Sequence, residues 1–540
     1  MNIRNLSLLS LVVPAFALAK SDKPNVIFLL ADDIAIKEIP IYGSTEWYDY
    51  ETNSMVTDPA KRSKTPVLDN MARNGCWIST CWACPVSMPS RALLLSGRYA
   101  YDQKWWYNRD IGDYATKDGK QADWPIYEGS EYTMGMVAKK GGYATFWAGK
   151  TQMPNVEQPE LYGFDEGLYT TSGGRSPFSN FYLVKDKTAP QKGIMGTFIN
   201  ADGGNKVEKT YGQSSALWKP NAKVINHPKN KKAVEWYPNN PEAKAKYGVS
   251  TFGPDLEMEY ALDFIDRKSK ENKPFFIYHA SNLGHGAYNF INPAKPCKLP
   301  ATPRLTWDGK NYHRTEPNIT GENGVYDAHG TISEPGLASH LAYLDYHLWQ
   351  YTQKLKEIGE YDNTIFIFSG DNGTGGYGKG SAECQKGVNV PFIIYAPGMK
   401  LTKQGVQDII MDYSDIVPTL ADIVGIKLPK EARTDGESLM PYLTTKKSDH
   451  RDYIYSYKSN QQLIRGTKVL RDGNGVWYDV EHIPANLDGF DRITDWSKVS
   501  AEHRAEKKKL EALLPKYDLY FTEYNGPGGT ATPVKKAPKK

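Results

Sequence analysis

The sequence predicts an α/β fold: a large domain with a mainly parallel sheet between helices, followed by a smaller C-terminal α+β domain. Three observations carry this. Short continuous apolar runs, the pattern of strands buried on both faces, recur at 25–30, 143–148, 274–279, 363–369 and 391–395. Helix-period patterns such as 256–267 and 337–358 separate them, and strands alternating with helices imply parallel pairing. Polar residues gather just after the apolar runs, where parallel sheets place their ligands.

Taken in order, Met1-Asn2-Ile3-Arg4, an apolar run over 6–16 and Ala17-Leu18-Ala19 read as a cleavable secretory signal spanning 1–19. That run is too short for a membrane span, and no later segment approaches the ~20 apolar residues one needs. The expected location is therefore periplasmic or secreted, with no membrane partner. A catalytic domain is expected over 20–425, its first strand ending in Asp32-Asp33. Long polar insertions at 171–248 and 292–324 suit the walls of a substrate cleft. From about 426 the rhythm shortens to segments at 453–457, 462–470 and 476–480 with a helix around 501–514, which defines a small domain over 426–531. The Lys/Pro/Ala-rich tail, 532–540, is expected to be disordered.

At 540 residues the chain exceeds the size at which one core keeps growing. A formal net charge of +4 gives no case for nucleic acid as a partner. Five cysteines, Cys76, Cys81, Cys84, Cys297 and Cys384, are an odd number, so at least one is unpaired within the chain. Cys81-Trp82-Ala83-Cys84 has redox-like spacing, but no redox fold surrounds it.

Asp32-Asp33 and Asp371-Asn372 are oxygen-ligand pairs that each follow a buried strand. Singly, such pairs are more often turns or helix caps. The run Ser87-Met88-Pro89-Ser90-Arg91-Ala92-Leu93-Leu94-Leu95-Ser96-Gly97-Arg98 is more specific. Its bland reading is a Pro-containing loop with Ser90 capping an apolar helix. This run resembles the formylglycine signature of type I sulfatases of the alkaline phosphatase-like superfamily, Cys/Ser-x-Pro-Ser-Arg with a later small residue, Gly and Arg. Gly142-Tyr143-Ala144-Thr145 with Gly149-Lys150 is similar to that family's second signature, and the segment 274–285, ending in His285, to its strand and catalytic loop.

The resemblance implies that a maturation enzyme oxidises Ser87 to an aldehyde. Asp32, Asp33, Asp371, Asn372 and the modified residue 87 would hold the metal, and all-oxygen ligation favours Ca²⁺ over Mg²⁺. The hydrated aldehyde would supply one hydroxyl to attack sulfur and a second to expel sulfate. Arg91 would steady the formylglycine oxygens, Lys150 would contact formylglycine and sulfate, and His285 would protonate the leaving alcohol. Where the family has a His two residues after that Lys, this chain has Gln152, which binds substrate without accepting a proton. The late segment 378–391 keeps the family's frame with one residue added, leaving Lys379 as the sulfate ligand and Lys386 in reserve.

Export and long loops point to a sulfated carbohydrate as substrate. Tyr101, Trp105, Trp106 and Tyr107 fit either sugar stacking or core packing. Two alternatives stand beside the sulfatase reading: a phosphoesterase or phosphonate hydrolase of the same superfamily, and a degenerate member that binds sulfated glycan without cleaving it.

Overall fold

The computed structural model describes residues 23–153, 159–170, 251–286, 299–315 and 330–517, apart from short segments at 109, 116–120 and 128–130, together with short strands in the intervening stretches. The expected signal at 1–19, most of the insertion at 171–248, Cys297 and the tail at 532–540 lie outside the described residues.

Nine strands form the central sheet: β1 (Asn25–Ala31), β2 (Cys76–Trp82), β3 (Ala144–Lys150), β4 (Glu166–Thr170), β5 (Phe275–Ala280), β6 (Thr364–Gly370), β7 (Asn389–Val390), β8 (Phe392–Tyr395) and β9 (Gly405–Asp412). The order runs β4-β3-β5-β1-β6-β8-β2-β7, with β9 also paired to β2. Every residue of β1 is buried, and alternate side chains serve opposite cores. Val26, Phe28 and Leu30 meet Ile365 and Ile367 of β6 on one face. Ile27, Leu29 and Ala31 meet Phe366 and Phe368 on the other. Helices α1 (Pro66–Asn74), α4 (Gly253–Lys270) and α5 (Leu337–Glu357) cover the second face. The first is covered by α2 (Ser87–Ser96), α3 (Met134–Lys140) and α6 (Ile416–Val424).

The run at 391–395 does become a strand, β8, but it is antiparallel to both β6 and β2. The chain between β6 and β8 contains no crossover α-helix and returns antiparallel. Pro391, lacking an N–H, interrupts the ladder between β7 and β8. Strands β2 and β9 are absent from the apolar-run reading. In β2, Trp77 and Ser79 are half-buried, so its sequence alternates instead of running apolar.

In the C-terminal region, β10 (Ile454–Lys458), β11 (Gln461–Arg465), β12 (Val469–Arg471) and β13 (Trp477–Asp479) form an antiparallel sheet, accompanied by α7 (Ala501–Tyr517). Tyr455, Ile464, Val469 and Leu510 join the core on the α2 side. Trp105 and Trp106, 0% and 4% exposed, belong to the same core and offer no stacking surface. Tyr101 donates from its hydroxyl to Asp435 Oδ1 at 2.8 Å. Cys76, Cys81, Cys84 and Cys384 are buried free thiols, and burial pushes Cys84 up to about 12, so the Cys81/Cys84 spacing does not present the low-pKa thiolate of a redox motif.

Candidate active site

Five strand ends supply the site. β1 leads into Asp32 and Asp33, β6 into Asp371 and Asn372, and β3 ends on Lys150. The loop after β5 carries His285, and the turn after β2 leads to Ser87 as the first residue of α2. The β5 loop lies against β1, with Asp32 N–H donating to Leu283 O at 3.1 Å. Gly284, at φ 102°, permits this approach, since a Cβ there would sit 2.1 Å from Asp32 O.

Ser87, 1% exposed, donates to Asn372 Oδ1 at 2.9 Å. Asn372 Nδ2 donates to Asp33 Oδ1 at 2.8 Å, and Asp33 N–H donates to Asp371 Oδ1 at 2.9 Å. Asp33 adopts φ 58°, a left-handed conformation that a non-glycine residue holds only when its surroundings fix it. Ser90 is no cap, because α2 already begins at Ser87. Its hydroxyl instead accepts from Cys84 N–H at 2.8 Å and donates to Asp371 O, pinning the Ser87 turn to the end of β6.

Oxygens of Asp32, Asp33 and Asp371 come within 4.8 Å of one another, an arrangement able to hold a metal ion. Three cations offset this charge. Arg91, fully buried, places Nη2 2.8 Å from Asp371 Oδ2 and 3.6 Å from Asp32 Oδ1, so it is no surface ion pair. Lys150 Nζ is 2.5 Å from Asp32 Oδ2, and Lys379 Nζ is 2.7 Å from Asp33 Oδ2. Burial pushes the Asp32 carboxyl up, but Lys150, His285 and Arg91 outweigh it and hold it below the usual carboxylate range. Burial and Arg91 lower Lys150, whereas the attraction of Asp33 and Asp32 overcomes burial and raises Lys379.

His285 Nδ1 lies 2.8 Å from Gly286 O, which can only accept, so Nδ1 carries a proton and Nε2 faces Asp33 Oδ2 at 3.9 Å. Gln152, at φ 50°, keeps Oε1 buried without a hydrogen-bond partner among the described residues. Lys386 is not part of the cluster, its Nζ lying 3.1 Å from Glu383 Oε1. His279 is structural, bonded to Glu257 Oε2 at 3.1 Å and Tyr351 OH at 3.0 Å.

Two neighbours escaped sequence reasoning. Thr374 Oγ1 accepts from Ala35 N–H at 3.1 Å and donates to Glu38 Oε1 at 3.0 Å, tying the two ligand-bearing loops together. A Cβ on Gly375 would lie 2.6 Å from Tyr50 OH and 3.2 Å from Asp33 Oδ2, so the Tyr50 hydroxyl borders the cluster. Its only signal is membership of the aromatic stretch 47–50.

Residues 24–426 match the Sulfatase family. The ulvan-active sulfatase of Formosa agariphila is 23% identical over 94% of this chain and 76% of its own length. The N-acetylgalactosamine-6-O-sulfatase of Bacteroides thetaiotaomicron is 23% identical over 89% of this chain and 85% of its own. Among solved structures, Ps i-CgsB in complex with k-i-k-neocarrahexaose superposes with a TM-score of 0.56 at 20% identity, covering 91% of this chain and 93% of that one. With a family match across most of the chain and an alkaline phosphatase-like fold, the protein belongs to the sulfatase family and is a sulfuric ester hydrolase.

Proposed function

We propose that this protein is exported and removes sulfate from a sulfated carbohydrate, with formylglycine made from Ser87 as nucleophile and Ca²⁺, in preference to Mg²⁺, as its metal. The observation that carries the reading is the Ser87 hydroxyl on Asn372 Oδ1 at 2.9 Å, beside three clustered carboxylates and three cationic side chains. The residues fit a hard cation. All the donors are oxygens, and three of them belong to buried carboxylates whose oxygens come within 4.8 Å of one another, a concentration of negative charge that suits a cation held between them. Asp32, Asp33, Asp371, Asn372 and residue 87 would hold the ion. When present, the cation supplies Lewis-acid stabilisation of the sulfuryl oxygens, and the aldehyde, as its hydrate, supplies one hydroxyl to attack sulfur and a second to release sulfate.

The chain's own side chains do the rest. Arg91 is held in its charged form by Asp371 and Asp32 despite burial and keeps these carboxylates oriented. Lys150 and Lys379 present ammonium groups to the sulfuryl oxygens. Protonated His285 spends Nδ1–H on Gly286 O and keeps Nε2–H for the departing alkoxide. Gln152 orients the group at residue 87 without exchanging protons. All of these residues lie within 20–425, leaving 426–531 as the small supporting domain. A secretory signal at 1–19 would account for export, and no described helix is long and apolar enough to cross a membrane.

Carbohydrate as the substrate class is supported by the relatives, named for ulvan and for N-acetylgalactosamine-6-O-sulfate, and by the bound neocarrahexaose in a structure of the same fold. The test is mass spectrometry of the Ser87 peptide from protein co-produced with a formylglycine-generating maturation enzyme, alongside sulfate release from a sulfated-glycan panel. The expected peptide is lighter by two hydrogens, and Ser87→Ala abolishes turnover. Unmodified serine in fully active enzyme would overturn the mechanism.

A further inference from the structure

His340 is fully buried in the first turn of α5 and takes no part in the chemistry proposed above. Both its ring nitrogens are bonded, Nδ1 lying 3.0 Å from Gly284 N and Nε2 2.8 Å from Pro300 O. A backbone N–H can only donate and a carbonyl can only accept, so Nδ1 carries the lone pair and Nε2 the proton. The two neighbours therefore demand the same neutral tautomer. Burial favours it too, pushing the ring down to about 4 despite the Pro300 hydrogen bond, so no proton competes for Nδ1 near neutral pH.

Most buried histidines bonded on both sides only satisfy their surroundings. The peptide that His340 holds gives this one a consequence. The Gly284 N–H and the Leu283 carbonyl are two edges of one planar unit. The carbonyl accepts from Asp32 N–H at 3.1 Å and the N–H donates to His340, so the plane is clamped between the first ligand-bearing loop and α5. His285 is the next residue. Gly284, at φ 102°, has no Cβ to limit its rotation, and the hydrogen bond supplies the restraint that the residue lacks. The His285 ring bonds to Gly286 O at 2.8 Å, one residue along, so among the described residues its aim follows the backbone of its own loop. The start of that loop has a separate anchor, since Asn282 bonds to the buried Glu257 carboxylate. Losing the His340 contact would loosen residues 284–286 while the loop stays attached at Asn282.

We infer that His340 is a positioning residue for proton transfer to the leaving alcohol: by accepting from Gly284 N–H, it sets the direction in which His285 presents Nε2–H. The inference rests on the assignment of His285 as the acid in the proposed mechanism and adds the group that aims it.

The test is a double-mutant cycle in matured, Ca²⁺-loaded protein, read as sulfate release from 2-O-, 4-O- and 6-O-sulfated hexoses. His340→Gln keeps a donor for Pro300 O and removes the acceptor for Gly284, whereas His340→Asn places Oδ1 where Nδ1 stood and gives up Pro300. Each variant loses one hydrogen bond, so a merely structural role would penalise both alike. His340→Gln is expected to lower kcat by on the order of 10–10² with KM changed less than about threefold, the loss due to a misplaced general acid. His340→Asn is expected to stay within about fivefold of the parent enzyme. In the His285→Ala background, His340→Gln should cost less than about twofold further, because the acid it aims is gone. With 4-nitrophenyl sulfate, whose phenolate leaves without a proton, His340→Gln should lose less than about threefold. Equal losses in the Gln and Asn variants, an undiminished effect of His340→Gln beside His285→Ala, or equal losses on both kinds of ester overturn the inference and leave the hydrolase reading intact. Full activity of His285→Ala on the hexose sulfates overturns the acid assignment and the inference with it. Absence of sulfate release from every hexose overturns the carbohydrate reading as well.

Discussion

Lys379 and Lys386 are the sharpest contrast the site offers, because seven positions apart in one loop they stand in different environments. Lys379 Nζ lies 2.7 Å from Asp33 Oδ2, and Asp33 and Asp32 raise its pKa despite burial, so it stays charged into the alkaline range. An ammonium aimed at developing sulfuryl charge is worth about 3–4 kcal/mol in a water-poor site, by analogy with removal of a single oxyanion donor. Lys379→Ala should therefore lower kcat/KM for sulfate release by on the order of 10²–10³. Lys386 pairs with Glu383 at 3.1 Å, both side chains partly exposed, and such pairs contribute about 0–1 kcal/mol. Lys386→Ala should change kcat/KM by less than about threefold. The assay is initial-rate sulfate release by ion chromatography, with mass spectrometry of residue 87 in each variant to separate lost chemistry from lost maturation. A hundredfold loss in Lys386→Ala with near-normal activity in Lys379→Ala would refute the assignment.

Chelation should abolish sulfate release and Ca²⁺ should restore it more fully than Mg²⁺; at a hundredfold excess over Kd the ion stabilises the fold by about 2.7 kcal/mol, readable as a rise in Tm. Full activity after exhaustive chelation would exclude the metal role. Gln152→His needs no new backbone conformation, since residue 152 is already a non-glycine at φ 50°. It should raise kcat and introduce an acidic limb in the pH profile, whereas Gln152→Ala should cost less than about tenfold; a larger loss in Gln152→Ala would give the amide a more direct role. Burial pushes Glu38 from 4.5 up to about 7, against hydrogen bonds from Thr374 and Tyr48. The folded protein then keeps a proton that the unfolded chain has released, so stability falls as pH rises between these values. Glu38→Gln should flatten urea-unfolding stability across that window by on the order of 1–3 kcal/mol, and an unchanged slope would exclude Glu38 as its source.

The α/β class was legible because strands buried on both faces are predominantly apolar, as β1, β5 and β6 are. Strand direction was not. β8 is as apolar as the parallel strands β1, β5 and β6, so nothing in its composition marks its reversed direction. The aromatic group past Ser87 shows a related limit. Composition cannot distinguish a ring that stacks on sugar from one that fills a core, and burial assigns Trp105 and Trp106 to the core.

At the site, the residues gathered around Asp32, Asp33, Asp371 and Asn372 were legible one motif at a time, because each follows the end of a strand in the same sheet. The ambiguous lysines show what spacing leaves out. The added residue in the late segment blurs the alignment, and either lysine can be counted into the frame. Packing of the loop backbone sets which of them reaches the carboxylate cluster. A Cβ on Gly378 would lie 2.1 Å from Lys386 O, so the carbonyl of residue 386 faces inward against the turn. Its side chain reaches Glu383, while one residue past Gly378 the chain delivers Lys379 to Asp33. The site is thus selected by a glycine that lets two loop segments touch, a constraint that becomes visible only once both backbones are in place.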